Sequence, residues 1–315
     1  MPGLPSRNLS KFIPAAVFAC AVATPLVASS AYVQHVGCMV AIYTVLALSL
    51  NLVLGYCGLL SLATPAFFGM GAYAATLLVT RAGLPWEAAL PCAVMAGVAA
   101  ALAIGIACLR TGKHAFVIVT LAATLLLQLI AANWTDLTRG ALGIADIPVL
   151  KIAGRAPKSK YEWYIVLAVI ALACMALFGR IVRSRIGPTM IATRDDEVLA
   201  SAAGVDVRRL RLWAFTLSGA LAALAGSLYA PFITYIDPGV FSFDISEALL
   251  IMVVIGGAGT YWGPILGAIV FTALPEVLRM SPELHALLYG ILLFAAVLAF
   301  PKGIATFRRR ARAAS

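Results

Sequence analysis

The sequence predicts an all-α polytopic membrane protein with about ten transmembrane helices. Composition is the first reason: 63% of the 315 residues are hydrophobic and 11% are charged, where a soluble domain carries about 25% charge. A soluble fold of this length would have to wet an apolar face, so the composition places the chain in lipid. The apolar residues also come in long runs rather than ten-residue alternation, which argues against a transmembrane barrel. Finally, Lys and Arg gather between particular runs, as the positive-inside bias requires. That bias accounts for the net charge of +10 without a nucleic-acid partner.

The runs fall at 12–30, 36–54, 59–80, 86–109, 115–132, 162–180, 211–231, 246–258, 262–278 and 284–300. The first follows Arg7 and Lys11, and Ser29-Ser30-Ala31 would suit cleavage of a leader. The run is about long enough to cross, so we read it as an uncleaved span. Run 59–80 is interrupted by Pro65, Gly69 and Gly71, and 246–258 is short. The chain thus divides into an N-terminal tail (1–11), a transmembrane domain (12–304) containing a charged loop (181–210), and a basic tail (305–315).

Orientation follows from the basic residues. Arg180, Arg183, Arg185, Arg194, Arg208, Arg209 and Arg211 share one loop, Arg110 and Lys113 another, and Lys302 with Arg308–Arg310 and Arg312 occupy the tail. Ten spans with both termini inside put all of these, with Arg7 and Lys11, in the cytoplasm. The loop 133–161 runs against this: it carries Arg139, Lys151, Arg155, Lys158 and Lys160 on the outer side. Long loops obey the bias less well.

Small residues recur every fourth position at Ser218, Ala222 and Gly226 and at Gly259, Gly263 and Gly267, which predicts faces where helix backbones approach closely. The six cysteines, Cys20, Cys38, Cys57, Cys92, Cys108 and Cys174, lack paired spacing. They read as packing residues rather than disulfides or metal ligands.

No span centre carries a clear ionisable residue. Proton- and ion-coupled carriers commonly use such groups, so a self-powered carrier is disfavoured. Glu247, at the N-terminal end of the eighth span, reads as an interfacial residue or as a group meeting solute at the outer mouth. Glu276 lies near the outer end of the ninth span, before Arg279, and pairing with it is expected. The run IGGAGTYWGPILG (255–267) lacks the Lys-Ser/Thr of a phosphate loop. His35, His114 and His285 form no cluster, and no zinc motif or catalytic triad is present. Neither an enzyme active site nor a metal site is expected. Any ATP that powers the protein must be hydrolysed by a separate chain.

The segment SRIGPTMIATRDDEVLASAAGVDVRRLRLWAF (184–215) breaks the apolar pattern. Gly187-Pro188 starts a new element, since proline suits a first helical turn. Nothing from Thr189 to Ala203 breaks a helix, and Gly204 is placed to close it. One helix of about four turns is predicted, with Ile191, Val198 and Ala202 on one face beside Leu199, and Arg194, Asp196 and Glu197 elsewhere. A solvated loop explains the arginines alone. A short helix docking into a partner's groove explains the apolar stripe as well.

Seven blocks in order give the chain a resemblance to a known family. They are NLVLGYCGLLSLATPAFFGMGAYAATLL (51–78), AFVIVTLA (115–122), NWTDLTRGALGIADIP (133–148), SRIGPTMIATRDDEVLASAAGVDV (184–207), AFTLSGALAALAGSLYA (214–230), MVVIGGAGTYWGPILGA (252–268) and FPKGIATF (300–307). The chain resembles the inner-membrane permease subunits of branched-chain amino-acid ABC importers, LivM-like subfamily. It departs from their usual pattern at Thr64-Pro65, Lys113-His114 and Thr189-Met190. The subfamily also includes permeases for urea and short amides. The resemblance implies a heterodimer with a second related permease, two cytoplasmic ATPase subunits that bind ATP and Mg, and a periplasmic solute-binding protein. It implies a bacterial inner-membrane location and no cofactor in this chain. It also makes the charged loop a coupling helix, with Arg194, Asp195, Asp196, Glu197 and Gly204 contacting or shaping the ATPase interface. A path for a zwitterion should bind weakly, so Ser61, Thr64, Gly69, Gly256, Gly257 and Gly259 are path candidates or close-packing residues. Tyr235, Asp237 and Asp244 would face the binding protein or lie in a plain loop. An ATP-independent carrier or channel is the alternative from another class.

Overall fold

A computed structural model describes residues 24, 30–151, 155–157 and 159–277. The expected spans at 12–30 and 284–300, and the tails, lie outside the described residues apart from isolated positions. So do Cys20 and the side chain of Glu276.

Helix α1 (Ala31–Asn51) continues through a π-helical turn, Leu52–Tyr56. It is followed by α2 (Thr64–Thr80), α3 (Trp86–Cys108), α4 (Lys113–Asn133) and α5 (Lys160–Arg183). Two short helices, α6 (Ile186–Asp195) and α7 (Glu197–Ala202), precede α8 (Val207–Ile233), α9 (Phe243–Gly257) and α10 (Gly263–Val277). Five helices among the described residues are long and apolar enough to cross a membrane: α1 with its π turn, α3, α4, α5 and α8. The 17-residue α2 and the 15-residue α9 are shorter, about 25 Å and 22 Å at 1.5 Å per residue. This is a multi-pass membrane architecture.

Burial sorts the helices. In the apolar window of Ala31–Tyr56, 78% of residues are buried, against 22% for His114–Asn133. A helix that is apolar all round sits at the centre of a bundle, and α1 does so with α8. Helices α3, α4 and α5 turn Met95, Ile118, Leu126 and Val169 outward. Such faces suit lipid, which is as apolar as leucine.

The Ser218–Ala222–Gly226 stripe packs within the chain, as its spacing predicts. Ser49 Oγ donates to the Ser218 carbonyl at 2.8 Å and meets Ser218 Oγ at 2.9 Å where α1 crosses α8. A Cβ on Gly226 would strike the Phe68 carbonyl of α2, and one on Gly71 would strike the Ala223 carbonyl. The second stripe also packs internally, Gly263 against the Gly257 carbonyl and Gly267 against that of Met252. The five described cysteines are free thiols, and all but Cys92 are buried.

Contacts sort the helix ends into two sets. At one end Tyr261 Oη donates to the Met175 carbonyl of α5, Leu212 of α8 lies beside Gly105 of α3, and α6 packs on the end of α1. The arginines of the charged loop are here. At the other end His35 and Trp163 meet Phe232, and Arg81 donates to the Asp136 carbonyl. There β1 (Ile144–Ala145) pairs antiparallel with β2 (Tyr235–Ile236), tying the 133–161 loop to the end of α8.

Candidate functional site: the charged segment and the broken span

The charged segment is two helices, not one. Asp196 adopts an extended conformation (φ −148°, ψ 107°), and its carboxylate accepts from the Leu199 N–H at 2.9 Å. Aspartate is among the best N-caps, and this cap competes successfully with helix continuation. The expected stripe is corrected as a result. Ile191 stays partly buried, but Val198 and Leu199 are 80% and 68% exposed and Ala202 is exposed too. The segment seats itself through Gly187, Met190 and Thr193 instead. Met190 is fully buried in a cluster with Tyr56, Cys57 and Phe178.

Gly204 takes the predicted role. Its φ is +86°, the Val205 N–H reaches the Ala200 carbonyl at 3.1 Å, and the Gly204 N–H reaches that of Ser201 at 3.0 Å. This pair of bonds is the Schellman closure of α7. A Cβ here would meet nothing within 4 Å, so the glycine is required by backbone angle rather than space.

Arg194 does not point away from the body of the protein. Its Nη1 donates to the Gly55 carbonyl at 2.6 Å, and its Nε lies 3.2 Å from Asp195 Oδ1. Gly55 stands in the π turn that ends α1, where carbonyls lack partners along the chain. The α1 terminus closes at Gly58 (φ +68°), with the Leu59 N–H on the Val53 carbonyl. From the same turn of α1, Asn51 donates to the Thr260 carbonyl at 3.0 Å and accepts from the Gly259 N–H at 2.9 Å. The ends of α1 and α9 and a coupling candidate therefore meet at one node. Burial raises the Tyr261 phenol above its ordinary pKa, so it remains a neutral donor.

Glu197 is also engaged within the chain. Its two oxygens accept from Arg211 Nη1 and Nη2, each at 2.8 Å. The Arg211 side chain is 10% exposed and that of Glu197 is 41% exposed. The fork geometry joins α7 to the second turn of α8. Asp206 caps α8 through the Arg209 N–H at 3.0 Å. Asp195 and Asp196 remain on the surface.

The path candidates split into two places. Residues Gly58–Ala63 are not helical and run from the arginine-rich end into the bundle interior. There Leu62 donates to Thr120 Oγ1 at 3.3 Å and its carbonyl accepts from Thr124 at 2.9 Å and Ser246 at 3.2 Å. Thr124 is near the middle of α4, so α2 begins at mid-depth. Irregular backbone at such depth is tolerated only where it is buried in protein or lines a cavity, and discontinuous helices are where carriers commonly hold solute. Ser61 and Thr64 belong to this break and are buried. Gly69 is one turn along α2, where a Cβ would strike the Phe241 ring. Glu247 is exposed on α9, next to the buried Ser246.

Gly256, Gly257 and Gly259 lie apart, at the α9–α10 turn. Gly256 packs against the Gly263 carbonyl, and Gly257 and Gly259 have φ of +118° and +74°. Packing and turn geometry account for all three. Sequence reasoning missed Asn51, Thr120, Thr124, Arg211 and Ser246. Asn51, an amide in a long apolar run, carried the clearest signal, and Arg211 was marked by its charge.

Comparison with known proteins agrees with this architecture. The high-affinity branched-chain amino acid transport system permease protein LivM of Escherichia coli (strain K12) is 31% identical over 93% of this chain and 74% of its own length. LivM of Salmonella typhimurium is 30% identical over the same shares. The fructose import permease protein FrcC of Rhizobium meliloti matches less of the chain, 31% identical over 42% of it and 39% of its own length. No solved structure matches. Residues 33–297 match the family described as branched-chain amino acid transport system / permease component, and the chain belongs to that family.

Proposed function

We propose that this chain is the permease subunit of an ATP-driven importer that moves branched-chain amino acids across a bacterial inner membrane. The observation that carries this is the likeness to LivM over 93% of the chain. The geometry supports it. Val198 and Leu199 stand exposed on a short helix at the arginine-rich end, the end that the positive-inside bias assigns to the cytoplasm. An apolar pair in the most charged loop suits docking into a groove, with Asp195 and Asp196 setting register.

In this reading α6 and α7 form the coupling element. Two cytoplasmic ATPases bind ATP and Mg, a second related permease completes a heterodimer, and a periplasmic binding protein delivers solute at the β1–β2 end. Both termini are cytoplasmic. Closure of the ATPases pulls α7, and the Glu197–Arg211 fork passes the movement into α8. The break at Gly58–Ala63, with Ser61, Thr64 and the Thr120, Thr124 and Ser246 hydroxyls, offers a weakly binding polar stretch at mid-depth.

The test is uptake by vesicles holding this chain with its partner subunits. ATP-driven uptake of leucine that requires the binding protein is expected. Uptake of urea alone would move the solute and keep the machine. Uptake by the purified chain alone, without ATP, would refute the importer.

A further inference from the structure

We infer that Arg194 is a positioning residue that acts inside the membrane domain, holding the end of α1 and the α9–α10 turn to the coupling segment as one unit. The inference rests on the coupling role proposed above.

Three glycines shape the cradle. A Cβ on Gly58 would strike the aliphatic stem of Arg194. A Cβ on Gly259 would lie 2.7 Å from Arg194 Nη1 and 2.8 Å from the Gly55 carbonyl oxygen. A Cβ on Gly55 would strike Asn51 Oδ1 and the Gly259 N–H nitrogen. Any side chain at these positions would displace the guanidinium, its acceptor or the Asn51 bridge. Room has been left for one group and for its attachment to two elements.

The chemistry matches the place. Gly55 lies in a π turn at a helix C-terminus, where the partial negative charge of unpaired carbonyls favours a cation. A charged donor at 2.6 Å makes a stronger bond than a neutral one. The next residue, Asp195, holds Nε and so orients the planar group. Asn51 then fastens the same turn of α1 to Gly259 and Thr260 with both ends of its amide. Movement of α6 therefore reaches α1 directly and the α9–α10 turn through Asn51, while Glu197 and Arg211 carry it separately into α8. An arginine that served only as an interface contact would need none of this cradle.

The experiment uses the complete importer in vesicles and reads leucine taken up per ATP hydrolysed, with retention of the ATPase subunits on purification measured alongside. Arg194→Ala should keep the ATPase subunits bound and lower uptake per ATP about tenfold, within the usual range of coupling between sites. Arg194→Lys, which returns a charged donor to the Gly55 carbonyl, should recover part of the loss. Asn51→Ala breaks the same node from α1 and should lower uptake per ATP similarly, with no further loss in the double variant. Unchanged uptake per ATP in Arg194→Ala would overturn the inference, as would loss of the ATPase subunits, which would make Arg194 an interface contact. Additive losses in the double variant would also overturn it. Leu199→Asp separates the two readings: retention of the ATPases by that variant would refute docking at the Val198–Leu199 tip and leave the node's own test intact.

Discussion

Replacing Glu197 by glutamine should loosen α7 without disturbing the bundle. The structure gives Glu197 two charge-assisted bonds of 2.8 Å to Arg211. Glutamine keeps the shape and one acceptor but removes the charge and leaves an amide donor facing the guanidinium. A hydrogen bond to a charged group contributes about 1.5–3 kcal/mol. Breaking a fully buried pair costs about 3–5 kcal/mol, but Glu197 is 41% exposed and water can reach it. The lower figure therefore applies, about 1.5–2 kcal/mol. At 1.4 kcal/mol per factor of ten, local opening of α7 should rise about 10–30-fold. The assay is hydrogen exchange on the detergent-purified protein, read at the Ala203, Gly204 and Val205 amides, whose acceptors lie in or at the end of α7. Amides in the buried half of α1 should not change. Unaltered exchange in α7 would show that the fork does not hold the helix, and movement could not pass through it to α8.

Two further outcomes follow from the same segment. Gly204→Ala forces a Cβ into φ +86°, which costs about 1–2 kcal/mol. It should raise exchange at the end of α7 and lower solute-stimulated ATPase activity, and unchanged values for both would remove the Schellman closure from the proposed coupling element. A cysteine at the exposed Ser201 should react with an impermeant maleimide only from the cytoplasmic side; labelling from outside would invert the orientation.

The bundle was legible in the sequence because lipid imposes a simple rule. A long apolar run has to satisfy its own backbone, so it is a helix, and eight of the ten expected runs coincide with α1–α5 and α8–α10. The small-residue stripe on α8 was equally legible, since at position 226 only glycine lets the Phe68 carbonyl of α2 come that close. The charged segment was less so. No residue from Thr189 to Ala203 forbids a helix, and the break depends on Asp196 choosing a cap over a helical turn, a competition between two local options of similar energy. Once the chain turns there, Val198 and Leu199 swing outward and the expected stripe dissolves. Arg194 and Glu197 were marked by their charge, yet their partners, a backbone carbonyl 139 residues away and an arginine 14 residues away, belong to packing that periodicity does not report.

The two breaks in helix beside the end of α1 share a logic. Each leaves backbone groups without helical partners, and each is satisfied by side chains from other elements. At Gly58–Ala63 the donors and acceptors are hydroxyls from α4 and α9, and at the α9–α10 turn they are the two ends of Asn51. Both depend on the end of α1: the first begins just beyond the π turn, and the second is bridged to it. A shift of that end would strain both sets of bonds together, because the side chains come from helices that are packed elsewhere. Arg194 is the charged group that bonds this end from the arginine-rich side. The break at Gly58–Ala63 thus continues directly from the helix end that Arg194 bonds, and the α9–α10 turn is bridged to that end by Asn51, whereas the lipid-facing α3 and the outer face of α5 lie apart. An importer needs that division: a frame that stays put and a small polar break that can be moved from below.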